Sequence, residues 1–431
     1  MRAFLVLLAL AVGTGLPLGT GLPLRAGISP GASFFTTRAP QDSSLAKDSL
    51  RLELEAPDGT LRQVVAGQLD LADPRAEQAW IVRILDARPA EPRGTQDKDA
   101  VEITLIGGDR LHGEVQEGAG ETLTLRIAGG ALLPLGIDAI ERIFVPAHLP
   151  ESLAAPLEAP LEGDRIYRRT GETLDRDDGA VLGFNGQGVL FESAVLGQRL
   201  VAWGELAALY VEPLGGAEPG TESVGVPAVF DLADGGRLHA RLVNLGAKKI
   251  ALLMGAGIEL SLPLASVLTV TILDGRIEYL SNLTATQEIG RGAPFGDEVG
   301  LVLGHLRDSS VTGDKLRVGG RQYPRGIGTH APTRVIYDLP EGWTQLRGKV
   351  GIDDSSARLP ADARGSVRFR VKLDGKLLWE SQVVRGGDGV QVMPALDLAG
   401  AGALRQLELE VDPVDDFRGD RADWLDMILS R

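Results

Sequence analysis

The chain has 431 residues, of which 44% are hydrophobic and 5% aromatic, with 56 glycines and a formal net charge of −15. That length holds about two to four domains, and the acidic balance, without a basic cluster, opposes a nucleic acid as partner. The absence of cysteine excludes disulfides, thiolate zinc sites and a cysteine nucleophile; it leaves export open, because large cores hold without bridges.

The chain opens MRAFLVLLALAVGTGLPLGTGLPLRAG. Arg2 precedes an apolar run from Ala3 to Val12, and small residues follow, the layout of a cleaved export signal. An uncleaved membrane anchor is the rival over residues 1–26, and Pro17 and Pro23 weaken it by breaking a spanning helix. Either reading expects a periplasmic, cell-envelope or secreted protein that meets the membrane only through this segment. Residues 27–48, rich in Gly, Pro, Ser and Thr, form a linker. Residues 49–100 are β-rich, with runs such as Leu50-Arg51-Leu52-Glu53-Leu54 around a charged loop, and gain no further assignment.

An internal repeat follows. Residues 101–150 begin VEITLIGGDRLHGEV, and residues 224–273 contain VPAVFDLADGGRLHARL; both then reach LPL. Leu111 to Leu133 spans 22 residues, and Leu238 to Leu262 spans 24. Residues 160–215 are a diverged middle copy. Val101, Ile103 and Leu105 alternate with polar residues, as do Leu123, Leu125 and Ile127, so these faces point inward. The units resemble small Sm-like β-barrels, without the basic or stacking surface that RNA binding needs. His112 and His239 hold the same repeat position. No partner ligands recur beside them, so structural repetition explains the pair better than a metal or catalytic role.

From residue 274 the repeats stop. Val367, Phe369, Val371 and Leu373 share one strand face, and Asp374-Gly375 turns the chain into Lys376-Leu377-Leu378-Trp379. Leu407, Leu409 and Val411, with Val335, Tyr337 and Leu339, supply further apolar faces that can pack as a sandwich. The expected fold is all-β: small Sm-like β-barrel repeats followed by a C-terminal, jelly-roll-like β-sandwich over 274–431.

Five blocks here occur in a familiar order: YLSNL (279–283), SSVTGDKLRVGGRQYPRGIGTHAPTRVIYDLP (309–340), VGIDD (350–354), GSVRFRVKLDGKLLWES (365–381) and GDRADWLDMIL (419–429). In them the chain resembles the NPCBM family, a carbohydrate-binding module first noted beside family 98 glycoside hydrolases. The resemblance implies a sandwich that binds a glycan or polysaccharide, with galactose-containing sugars bound by some members. The family's GxGxHA block falls on Gly326, Gly328, His330 and Ala331. His330 either contacts a sugar hydroxyl or pins the turn, with the Asp423-Trp424 pair as distant partner; pinning is preferred. Sugar recognition needs an aromatic face and polar groups, which selects Trp343, Trp379 and Trp424, with His330 and Arg334. Asp353, Asp415, Asp416, Asp420 and Asp423 have the chemistry of a structural calcium site, and solvated acidic loops account for them equally well. No other cofactor is expected.

No HExxH or phosphate-binding glycine loop is present, so the chain is expected to be non-enzymatic. Two alternatives stand beside the glycan-binding reading. One is a cell-envelope structural or assembly protein with protein partners. The other is a glycoside hydrolase accessory protein, or a hydrolase whose site lies within 49–272.

Overall fold

The structure, a computed structural model, describes residues 50–67, 72–88, 100–150, 157–213, 224–290, 304–400 and 404–431. The expected export signal or anchor and the linker lie outside these residues. The regular structure described is β-strand with short 3-10 turns. No helix among the described residues is long and apolar enough to cross a membrane.

The repeats share one topology. In the first, strands Ala100–Leu105, Arg110–Ala119, Thr122–Arg126 and Leu132–Gly136 pair antiparallel in succession. A 3-10 turn, Ile137–Ala139, then returns strand Ile140–Phe144 to the first strand. The middle copy repeats this from Asp164–Thr170 to Leu206–Tyr210, and the last from Val226–Leu232 to Val267–Ile272. The segment before the repeats is a shortened version. Arg51–Glu55 pairs with Leu61–Val65 and with Ile81–Ile84, as first, second and fifth strands.

The fifth strands then pair with one another. Ile140–Phe144 lies beside Leu206–Tyr210, and Ile81–Ile84 beside Val267–Ile272. Each pairing removes two exposed edges, and a bridge between Arg110 and Arg237 links the two resulting groups, so that all eighteen strands form one sheet. Val101, Ile103, Leu105, Leu123, Leu125 and Ile127 are buried, as their alternation predicts.

The described residues of 277–431 form two six-stranded sheets, beside a two-stranded ribbon of Arg317–Val318 and Arg321–Gln322. One contains Gly326–His330, Arg421–Ser430, Gln345–Ile352 and Gln391–Asp397; the other contains Gln287–Gly290, Thr333–Pro340, Leu404–Pro413, Ser366–Leu373 and Lys376–Glu380. Their facing sides share one core, in which Phe369 meets Trp424 edge-on at 5.0 Å between ring centroids. The predicted hairpin turn is made by Asp374 at φ 49° and Gly375 at φ 76°, the left-handed pair that a tight two-residue turn requires. Glu410, which alternates with the apolar face of its strand, is only 5% exposed. It lies beneath Arg370, at 2.8 Å, and is also paired with Lys372 and with Arg334 at 3.5 Å.

Asp48–Arg431 is one compact unit, and side chains explain the union. Ile277, Tyr279 and Ile428 belong to the hydrophobic core of the repeats, not to that of the sandwich. Two buried charge networks cross the same seam. In one, Glu55 accepts from Arg347 Nε at 2.7 Å and pairs with Arg83, while Asp426 accepts from Lys349 at 2.8 Å and lies 3.5 Å from Arg83. In the other, Asp231 binds Arg237 at 2.7 Å and Arg325 at 3.0 Å.

Candidate functional site

Parts of four of the five sequence blocks meet beside the start of strand Arg421–Ser430, while YLSNL lies at its far end, with Tyr279 against Ile428. Strand Gly326–His330 pairs with Arg421–Ser430 so that Gly328 faces Asp423 and His330 faces Arg421. The glycines are needed for close approach: a Cβ on Gly326 would lie 2.4 Å from the Trp424 carbonyl oxygen, and one on Gly328 2.3 Å from that of Ser309. Asp353 Oδ2 accepts from Arg317 N–H at 3.1 Å and Oδ1 from Ser355 N–H at 2.8 Å. Asp354 accepts from the N–H groups of Gly319 and Gly320 at 2.9 and 2.8 Å. These contacts build the loops themselves.

His330 is half-buried, with Nδ1 2.9 Å from the Ala331 carbonyl oxygen. Burial pulls its pKa below the usual histidine value, against the Ala331 hydrogen bond and with help from Arg421. A neutral ring donating from Nδ1 keeps Nε2 as an acceptor. The partner proposed from sequence, Asp423-Trp424, is corrected to the Ala331 carbonyl and Arg421. Asp423 lies opposite Gly328, two residues from Arg421 along the strand, and its oxygens make no hydrogen bond to the histidine among the described residues.

Trp424 is also corrected. It is fully buried, because its strand is covered on both faces, and it cannot reach a ligand. Trp379 is half-buried on the edge strand Lys376–Glu380 and packs against the core. Arg334 is exposed and spends its charge on Glu408 and Glu410 at 3.8 and 3.5 Å. His330 and Trp343 belong to opposite ends of Arg421–Ser430, since Thr344 donates to the Ser430 carbonyl at 2.8 Å. Ten residues of strand separate them by roughly 30 Å. The five candidates therefore do not form one site.

Trp343 does line a groove, of about 230 Å³, together with Glu341, Thr344, Leu398 and Arg405. The Arg431 guanidinium packs 4.5 Å from the indole centroid and fixes the ring. Arg405 is held by Asp374 at 3.0 Å and by the Leu398 carbonyl. An aromatic wall with a guanidinium, a carboxylate and a hydroxyl is what a pyranose needs. Glu341 and Arg405 were not selected from sequence. They are 64 positions apart and carry no motif.

The acidic candidates do not gather. Asp416 is exposed and paired with Arg418 at 2.8 Å. Asp415 accepts from Ser366 Oγ at 2.8 Å. Asp420 Oδ1 accepts from Ser366 N–H at 2.8 Å, while Asp420 Oδ2 and both Asp423 oxygens are buried without a partner among the described residues. Burial, opposed by the Ser366 N–H and supported by Asp416 and Asp415, raises the Asp420 pKa to about 7. Burial, then Asp353 and Asp354, holds Asp423 well above the usual carboxylate range. No three His, Asp or Glu side chains among the described residues are set to hold a metal ion, so the expected calcium cage is not formed by Asp353, Asp415, Asp416, Asp420 and Asp423.

The fold thus defines a β-sandwich module fused to a sheet of repeats. Residues 279–430 are an NPCBM/NEW2 domain. The chain is similar to alpha-1,3-galactosidase B of Akkermansia muciniphila, 39% identical over 122 residues, which is 28% of this chain and 14% of that protein. Among solved structures it is similar to CBM51 from Clostridium perfringens GH95 in complex with methyl-galactose, with 24% identity, coverage of 36% of this chain and 99% of that one, and a TM-score of 0.29. It is also similar to CBM51-2 in complex with GlcNAc and INT domains from Clostridium perfringens ZmpB, with 24% identity, coverage of 42% and 36%, and a TM-score of 0.30.

Proposed function

We propose that this is an exported, non-catalytic glycan-binding protein whose sandwich holds a sugar in the Trp343 groove. The NPCBM/NEW2 domain at 279–430 carries this reading, and the similarity to a galactosidase makes a galactose-containing glycan the first choice. The sugar's apolar face lies on the indole, while Arg405, Glu341 and Thr344 exchange hydrogen bonds with its hydroxyls. A groove of about 230 Å³ is below the roughly 300–1,000 Å³ of a drug-sized pocket, so it takes one sugar residue of a chain. The repeats, as small Sm-like barrels, are a scaffold in this proposal; their shared five-strand order supports that part.

Calorimetric titration of the full chain with methyl galactoside tests the function. Saturable binding lost in Trp343→Ala supports it. Binding of no glycan, with capture of an envelope protein instead, favours the assembly reading. Glycoside turnover abolished by one carboxylate change within 49–272 favours the hydrolase.

A further inference from the structure

His112 and His239 occupy the same repeat position, and the first and last repeats meet there. Their second strands touch antiparallel at Arg110 and Arg237, which makes a local two-fold axis. On one side of it Asp109 reaches across: both carboxylate oxygens accept the His239 backbone N–H at 2.9 Å, and Oδ1 lies 2.5 Å from His239 Nδ1. On the other side, Gly236 stands in the place of Asp109, and no carboxylate hydrogen-bonds His112 among the described residues. Glu102 is 3.6 Å from His112 Nε2, and that nitrogen has no hydrogen-bond partner among the described residues.

The space left by the missing side chain is a cleft of about 210 Å³, lined by Glu102, Arg110, His112, Gly235, Gly236 and Lys315, with Tyr323 at its edge. The sandwich supplies Lys315. A Cβ on Gly235, at φ 95°, would lie 2.9 Å from Lys315 Cε and 3.7 Å from His112 Cε1, so two consecutive glycines keep the cleft open. The Lys315 ammonium donates to the Asp234 carbonyl and keeps two further N–H groups. In the back wall, Arg237 and Arg325 neutralise Asp231 and Asp308. Glu102 lies 3.8 Å from Arg110 and 3.9 Å from Arg142, and Lys315 adds a further cation to the cleft.

We propose that this cleft receives the carboxylate of a small ligand, of the size of a single sugar acid. The molecule shows the fitting group, since Asp109 places a carboxylate at the equivalent point beside His239. The site lies outside the Trp343 groove and does not rest on the sugar reading of the sandwich.

The test is a titration of the full chain with glucuronate, acetate and glucose, following the His112 ring resonances by NMR. Glucuronate is expected to shift His112 saturably, acetate more weakly, and glucose not at all. Arg110→Ala, at an exposed position, should weaken glucuronate about tenfold. Gly236→Asp should abolish binding by filling the cleft with its own carboxylate, and Trp343→Ala should leave it unchanged. Equal binding of acetate and glucuronate keeps the site and assigns it to a bare carboxylate. No saturable shift with either acid, an equal shift with glucose, or unaltered binding in Arg110→Ala overturns the proposal. If Gly236→Asp does not fold, Arg110→Ala decides.

Discussion

Glu55→Gln is the substitution to which the seam should respond most. Glu55 is 5% exposed, and Arg83 and Arg347 beside it are 4% and 8% exposed. Arg347 comes from 292 residues further along the chain, and its NH1 also donates to the Pro57 carbonyl at 2.8 Å. Removing the charge, with the volume kept, leaves two buried guanidinium groups against Asp426 and Glu53, each 3.5 Å from Arg83. Breaking a buried pair from one side costs about 3–5 kcal/mol. At about 2 °C per kcal/mol for a body of this size, Tm should fall by about 6–10 °C. Adding Arg347→Met removes one orphaned charge and should restore part of the loss. Thermal and urea unfolding of the three variants measure both effects. A Glu55→Gln protein within 1 °C of the parent would refute the argument that this network holds the two parts together.

Asp420→Asn tests the buried acids. A carboxyl whose pKa rises to about 7 on folding contributes stability below its unfolded value, about 3.9, and loses it as pH rises towards 7. The variant's stability relative to the parent should therefore grow from pH 4 to pH 7; a flat difference would contradict the burial argument. Asp426 has the opposite sign. Burial works to raise its pKa, but Lys349 and Arg83 outweigh it and hold the group at about 2. The stability it confers is present above about pH 4 and is lost as pH falls towards 2, and Asp426→Asn should remove that acid-limb dependence in urea unfolding. Residues 274–431 expressed alone should bind a hydrophobic dye and unfold at lower temperature than the full chain, because Ile277, Tyr279 and Ile428 lose their cover. A native-like, dye-free fragment would show the sandwich to be separable.

Much of the fold was legible because it depends on local periodicity. Alternation placed Val367, Phe369, Val371 and Leu373 in the core, and Asp374-Gly375 marked its turn. The repeated GGDRLH and DGGRLH strings placed His112 and His239 at equivalent positions, and of the two differences between them, Gly107 against Asp234 and Asp109 against Gly236, the second carried the chemical information. The site was less legible. Its residues come from separate loops, and an indole does not reveal in sequence whether it is covered. Trp424 sits on a strand with both faces packed, while Trp343 follows Gly342 in a turn at the opposite end. The seam left no signal, because Glu55, Arg83, Arg347 and Asp426 are charged residues in short runs, which alone resemble a solvated surface.

A glycan array probed with the full chain and with Trp343→Ala tests the central claim most directly. Binding to one class of galactose-containing glycans is expected, lost in Trp343→Ala while thermal unfolding remains cooperative. Equal array signals from the two proteins would contradict the Trp343 groove, and a folded full chain that binds no glycan would contradict the carbohydrate-binding function itself.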